Sequence, residues 1–285
     1  MKRNKLSLFS IPYVVWMAIF VVIPILMVVV YAFSSAGGGF TLDNFARIWD
    51  YAVVFTRSFK LALIATVICL LVGYPISCFL AREGAGFQRV AMMLIMLPMW
   101  MNFLLRTYAW MSILENTGLL NRFFDAIGLF DLINGLFGTE IEYFKMINTQ
   151  GAVILGMVYN YIPFMILPIY TTMCKIGDDV IEAAQDLGGN TFQVMARVVI
   201  PLSLPGVSTG ITMVFVPAIS TFIISKMLGG GTNQLIGDII ELQFLGNSYN
   251  PNLGSAISLV LMVVVLLCMS IMSNFDDEEM EGRIL

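Results

Sequence analysis

Six stretches of the chain carry no charged residue: 6–42, 61–81, 90–105, 146–174, 198–225 and 242–275. A helix needs about 20 apolar residues to cross a bilayer core. Five stretches reach that length unaided, and the shortest, 90–105, continues past one arginine, Arg106, to Leu114. The pattern therefore predicts six transmembrane helices, at about 11–33, 61–81, 90–114, 151–173, 204–225 and 254–273. Pro12 and Pro24 predict a kink in the first. The intervening segments read as a loop from Gly37 to Lys60, a tight connection Arg82–Arg89, a polar stretch Glu115–Gln150 with a short helix near 121–127, a polar loop 174–203 and a glycine-rich loop 226–253. A tail with Asp276, Asp277, Glu278, Glu279 and Glu281 follows.

Composition supports this reading. Hydrophobic residues make up 59% of the 285 and charged residues 12%, against roughly 25% charged in soluble domains. Too few charges are present to cover a soluble globule. The chain reads as an all-α integral membrane protein, a single transmembrane domain over 1–285 with no separable soluble part.

Histidine is absent, which excludes Ser-His-Asp or Cys-His catalysis and a His-ligated metal. Cys69, Cys78, Cys174 and Cys268 lie in or beside apolar windows with no CxxC pair, and read as small packing residues. Gly229-Gly230-Gly231-Thr232-Asn233 lacks the ending of a phosphate-binding loop. The chain is thus no enzyme by its own residues, and neither a catalytic group nor a metal site is expected. Lys2, Arg3 and Lys5 precede an apolar run too long for a signal peptide, so the first span is expected to be retained. With the N-terminus inside, Lys2, Arg3, Lys5, Arg82, Arg89, Lys175, Arg197 and Arg283 fall inside, 8 of the 15 basic residues. That count barely discriminates, but the three beside the first span favour both termini inside.

The loop 174–203 has its own pattern. Asp178 and Asp179 suit a helix N-terminus. Val180, Ala184 and Leu187 form a narrow apolar stripe at helical spacing. Gly188-Gly189 supply a left-handed helix end, and Asn190 with Gln193 reads as a capping box that starts a second helix. Phe192, Met195, Ala196 and Val199 repeat the stripe, and Pro201 and Pro205 are expected to stop that helix before the fifth span. A small amphipathic helix with alanine at its contact points suits a partner's groove.

Glu182, Ala183, Ala184, Gly188, Val198, Ile200 and Pro201 resemble the EAA loop of ABC importer permeases, with Val198 and Ile200 where the consensus has Ile and Leu. The resemblance implies the type I (MetI-like) permease fold with cytoplasmic termini. It also implies a multi-pass protein of the bacterial cytoplasmic membrane. The loop would dock on an ATPase subunit, with Glu182 meeting a basic residue there and Gly188 setting the turn. Phe192 would fill the groove or pack on the chain's own spans. The implied partners are a second, related permease in a heterodimer, two copies of a cytoplasmic ATPase and an extracytoplasmic binding protein. ATP and Mg would belong to the ATPase, so no cofactor is expected on this chain.

Pro98-x-Trp100-x-Asn102-x-x-x-Arg106-x-Tyr108, Leu228-Gly229-Gly230, Leu235-Ile236-Gly237 and Gln243-Phe244 resemble the B-type permeases of spermidine/putrescine importers. Permeases for thiamine and iron(III) share parts of these motifs, so they stay as alternative substrates. A polyamine path wants carboxylates and aromatic faces. Trp100, Asn102, Tyr108, Tyr159, Asn160, Phe215, Phe222 and Glu241 are the candidates, with Glu115 and Asp238 as further acids. Each aromatic could equally belong to an interfacial belt or face lipid, and Glu241 could be a solvated loop carboxylate. Arg106 argues against a cation path; it is expected near the outer interface, snorkelling or pairing with Glu115. A stand-alone secondary transporter is the alternative of a different class, but no mid-span acid or histidine offers a proton relay.

Overall fold

The computed structural model describes residues 12–281 except 36, 139 and 247, with side chains described to 270 except that of Phe137. Lys2, Arg3, Lys5 and Arg283, on which the orientation argument drew, lie outside the described residues. Helices dominate, and the only pairing of β type among the described residues is the isolated bridge Ser34–Phe40.

Helix α1 spans Pro12–Ala32 and α2 spans Asp43–Arg82. Helix α3 is Ala85–Trp100, α4 Phe103–Leu114, α5 Leu119–Ala126 and α6 Leu129–Phe137. Helix α7 is Gln150–Met173, α8 Asp178–Asp186 and α9 Thr191–Ser220. Helix α10 is Ile223–Leu228, α11 Ile236–Leu245 and α12 Pro251–Glu281. Among the described residues five of these are long and apolar enough to cross a membrane, and the bent pair formed by Ala85–Trp100 and Phe103–Ala126 has the length and composition for a sixth if it crosses as one span.

Contacts divide the chain into two compact units, 1–53 with 239–267 and 54–238 with 268–285. In the first unit the amide of Asn44 donates to the carbonyls of Ala32 and Ser34, both at 3.0 Å, tying the start of α2 to the end of α1. Phe33 stacks on Phe40 and meets Phe45 at a tilt. The second unit is built on α7 and α9. Gly206 and Gly210 form a GxxxG pair on α9. A Cβ at Gly206 would stand 2.6 Å from the Thr172 hydroxyl and 2.7 Å from the Pro168 carbonyl; at Gly210 it would stand 2.8 Å from the Met165 sulfur. Lipid tails are as apolar as leucine, so helices in a membrane gain by close backbone approach rather than by hydrophobic burial. Val214 and Ala218 continue the same buried stripe. On α2, Gly73 lies against Met165, and Ser77 donates to the Ile166 carbonyl at 3.1 Å.

Four expectations are corrected. The segment 43–60 is helical, not a loop, because α2 extends 18 residues ahead of the apolar window. The expected third span, 90–114, is broken: Asn102 leaves the helical conformation and the chain turns by 91° there. The segment 226–253 carries α11 and the second half of α10 rather than an open loop. Its Leu235-Ile236-Gly237 sits under the broken end of α9. A Cβ at Gly237 would lie 2.5 Å from the Ser220 carbonyl and 2.7 Å from that of Thr221, so only glycine fits. Finally, Pro201 and Pro205 do not stop a helix. A π-turn at Met195–Val199 precedes Pro201, with the Ile200 amide donating to the Met195 carbonyl. That wider turn takes in Arg197, the residue whose carbonyl a proline at 201 would otherwise strand. The same device, a π-turn at Ala18–Val22, precedes Pro24 in α1.

Candidate functional site

The motif segment folds as two helices joined by a rigid turn. Asp178 and Asp179 occupy the first turn of α8, where the exposed amides favour acids. Ile181 is buried and fixes α8 to the molecule, while Glu182 and Ala183 face outward and Ala184 is half-buried. The helix ends in a Schellman arrangement. The Gly188 amide donates to the Gln185 carbonyl at 2.8 Å and the Gly189 amide to the Ala184 carbonyl at 3.1 Å. Gly188 has φ +83, in the left-handed region, and a Cβ at Gly189 would lie 2.6 Å from the Ala184 carbonyl. Each glycine thus has its own reason: one for backbone conformation, one for space.

Asn190 then caps α9. Its carboxamide accepts from the Gln193 amide at 2.8 Å, and the Gln193 side chain accepts from the Asn190 amide at 3.0 Å. The turn leaves two large apolar side chains in the open, Leu187 at 90% exposure and Phe192 at 80%. Phe192 therefore does not pack on the chain's own spans. Leu187 was legible only as part of the apolar stripe, and the structure gives it the same standing as Phe192. Val194 and Val199 are buried on the opposite side. Val198 is half-buried, Ile200 is exposed, and Pro201 lies inside α9 just after the π-turn. The loop thus runs into a membrane-length helix without a joint. Between α8 and α2, Tyr74, Phe79, Arg82, Ile181, Gln185 and Val194 line part of an open cleft of about 540 Å³.

The expected path residues separate into two groups. Trp100, at 80% exposure, Tyr108 and Phe222 present open faces. Asn102 is exposed too, but its side-chain oxygen caps α4, accepting from the Leu104 amide at 2.8 Å. Tyr159, Phe215 and Asn160 are engaged inside the second unit. Tyr159 meets Trp110 edge to face at 5.2 Å between ring centres. Phe215 meets Phe59 at 6.2 Å. Asn160 is buried at 3% exposure; its amide donates to the Gly156 carbonyl at 2.8 Å, and its Oδ1 has no donor. Glu241 belongs to the other unit and is half-buried. Asp238, sought among acids at outer span ends, is instead buried at the start of α11, where its carboxylate accepts from the Leu235 amide at 2.7 Å. Arg106 neither snorkels nor stays open: it is 92% removed from solvent (8% exposed) and its Nη1 donates to the Pro98 carbonyl at 2.6 Å. Its guanidinium lies 5.8 Å from the Phe103 ring centre and 5.9 Å from that of Tyr159.

Residues 73–277 match the family of binding-protein-dependent transport system inner membrane components. The chain is 37% identical over 258 residues to the spermidine/putrescine transport system permease protein PotB of Salmonella typhi, covering 88% of this chain and 86% of that protein. It is 36% identical over 258 residues to the PotB of Escherichia coli, covering 88% and 90%. Among solved structures, it is similar to a chain of a bacterial ABC transporter that imports the acidic polysaccharide alginate, with TM-score 0.73, 17% identity, and coverage of 96% and 95%. A chain of the MetNI methionine ABC transporter in an inward-facing form gives TM-score 0.57, 16% identity, and coverage of 82% and 98%.

Proposed function

The chain belongs to the binding-protein-dependent transport system inner membrane components, and from this premise we propose that it is one permease of an ATP-driven polyamine importer. It is an inner-membrane transport component, not an enzyme, and permeases of this kind work with a periplasmic binding protein and ATPase subunits. The finer reading is a heterodimer with a second, related permease, two ATPase copies and a polyamine-binding protein. Both termini are on the cytoplasmic side, the whole chain acts as one permease domain, and each permease supplies half of the path.

The observation that carries this is the paired exposure of Leu187 and Phe192 on a turn made rigid by Gly188, Gly189 and the Asn190–Gln193 capping box. Two bulky apolar side chains held out by a fixed backbone are what a hydrophobic groove on an ATPase recognises. Glu182, exposed one turn earlier, supplies a charged contact. Because α9 continues from this turn into the membrane, a push on the docked turn is delivered to the span as a lever, not absorbed by a loop. Closure of the ATPase pair then moves the spans and switches the path from outward to inward.

The substrate reading rests on the likeness to permeases named for spermidine and putrescine, and on open aromatic faces at Trp100, Tyr108 and Phe222. A polyamine is a flexible chain of ammonium groups. Each group gains about 0.5–2 kcal/mol over an aromatic face as it loses water. The test is ATPase stimulation in the reconstituted complex, with the binding protein present, by a panel of solutes. Spermidine or putrescine should stimulate. Stimulation by thiamine or ferric ion, with none by either polyamine, overturns the substrate and leaves the machine intact.

A further inference from the structure

The break between α3 and α4 carries one bond of an unusual kind. In an uninterrupted helix the Pro98 carbonyl would accept from the Asn102 amide, four residues on. Here Asn102 is a helix cap, and the carbonyl accepts instead from the Met101 amide at 3.3 Å, in a tight turn, and from the Arg106 guanidinium at 2.6 Å. Pro98 and Arg106 are eight apart, about 12 Å of rise in a straight helix. The bond therefore exists only while the span is broken. It is also charge-assisted, largely removed from solvent on the Arg106 side, and flanked by the Phe103 and Tyr159 rings.

Two buried groups nearby remain unused. Arg106 Nε has no acceptor, and Asn160 Oδ1 has no donor. They sit on helices in contact, α4 and α7, and Asn160 adjoins the tyrosine whose ring the guanidinium already faces. One is a donor, the other an acceptor, and both are more than nine-tenths buried. If the span straightened, the Pro98 carbonyl would be taken by the Asn102 amide. The guanidinium would then be buried without an acceptor, a costly state unless another is in reach. The Asn160 carboxamide is the available acceptor.

We propose that Arg106 is a two-position pin for this span: bound to the Pro98 carbonyl it keeps the span broken, and transferred to Asn160 Oδ1 it lets the span straighten in the other state of the transport cycle. Arg106 is thus a positioning residue, acting through the backbone at the break and not on the substrate. The proposal rests on the importer reading above but not on its substrate.

The test uses the complete complex with its ATPase, the four native cysteines replaced by serine, and spin labels at the exposed positions Val90 and Ser112. Those positions are about 33 Å apart along a straight helix and about 23 Å apart across a right-angle break. The resting complex should give the short separation, and vanadate trapping should move it toward the long one. Arg106→Met should populate the long separation at rest, and Arg106→Lys should restore the short one in part. Asn160→Leu should keep the short separation at rest and hold it there after trapping. A wild-type separation that is the same in both states overturns the proposal, as does Arg106→Met with unchanged distances. If Arg106→Met does not assemble, the wild-type and Asn160→Leu measurements decide. Vanadate trapping needs no polyamine, so a wrong substrate leaves these distances as they are.

Discussion

At the scale of single residues, the turn between α8 and α9 shows how differently neighbouring positions can be constrained. A Cβ at Gly188 would meet nothing within 4 Å, yet its φ of +83 belongs to the left-handed region. The constraint is conformational, about 1–2 kcal/mol for an ordinary residue and more for a β-branched one. Gly188→Val should therefore leave the amount of permease in the membrane unchanged while transport and solute-stimulated ATPase activity fall at least about ten-fold, read by vesicle uptake and phosphate release. Leu187 and Phe192 present the opposite case. Both are exposed, so Phe192→Ala should alter the thermal stability of the permease by no more than about 0.5 kcal/mol, measured by fluorescence-detected unfolding. The ATPase recovered on co-purification should drop sharply. Retention of a full complement of ATPase would show that the exposed ring is not a docking contact.

At the scale of elements, close packing of α7 on α9 depends on glycine spacing. Gly210 lies against the Met165 side chain and backbone. Gly210→Leu has no room there without moving a helix, and overpacking of this kind costs about 1–3 kcal/mol. The expected outcome is a lower unfolding temperature in detergent with little change for a leucine at Gly84, where a Cβ would meet nothing within 4 Å. The join of the turn to the fifth span is also an element-scale feature. The π-turn at Met195–Val199 lets the helix run through Pro201. Two added glycines between Val194 and Met195 should uncouple the two ends: ATP hydrolysis continues and uptake is lost, measured side by side in proteoliposomes.

At the scale of the whole molecule, the described chain has little that could act alone. Residues 12–31 of α1 include no buried side chain, so that helix meets lipid or another chain along most of its surface. This agrees with a protein that functions inside a larger assembly. Mild detergent extraction should therefore recover the chain with a second permease and an ATPase, and Phe192→Ala should reduce only the ATPase. Loss of both partners together would mean that the variant had disturbed the fold and not the contact.

The sequence by itself determined what is local. Charge-free windows located the membrane helices because a bilayer admits no unpaired charge and fixes a minimum length. Gly188, Gly189 and the Asn190–Gln193 pair specified the turn because every bond in it closes within six residues. Only the tertiary structure decided what depends on distant partners. Arg106 read as an interfacial charge until the chain's bend brought it to the Pro98 carbonyl. Leu235-Ile236-Gly237 read as loop until the broken end of α9 was seen to lie over Gly237. Pro201 read as a stop because a proline's cost is tallied locally, whereas the π-turn before it removes that cost through a change of helical register. In each case the deciding partner was a backbone carbonyl, and which carbonyl a bend or turn frees is not written in the identity of any one residue.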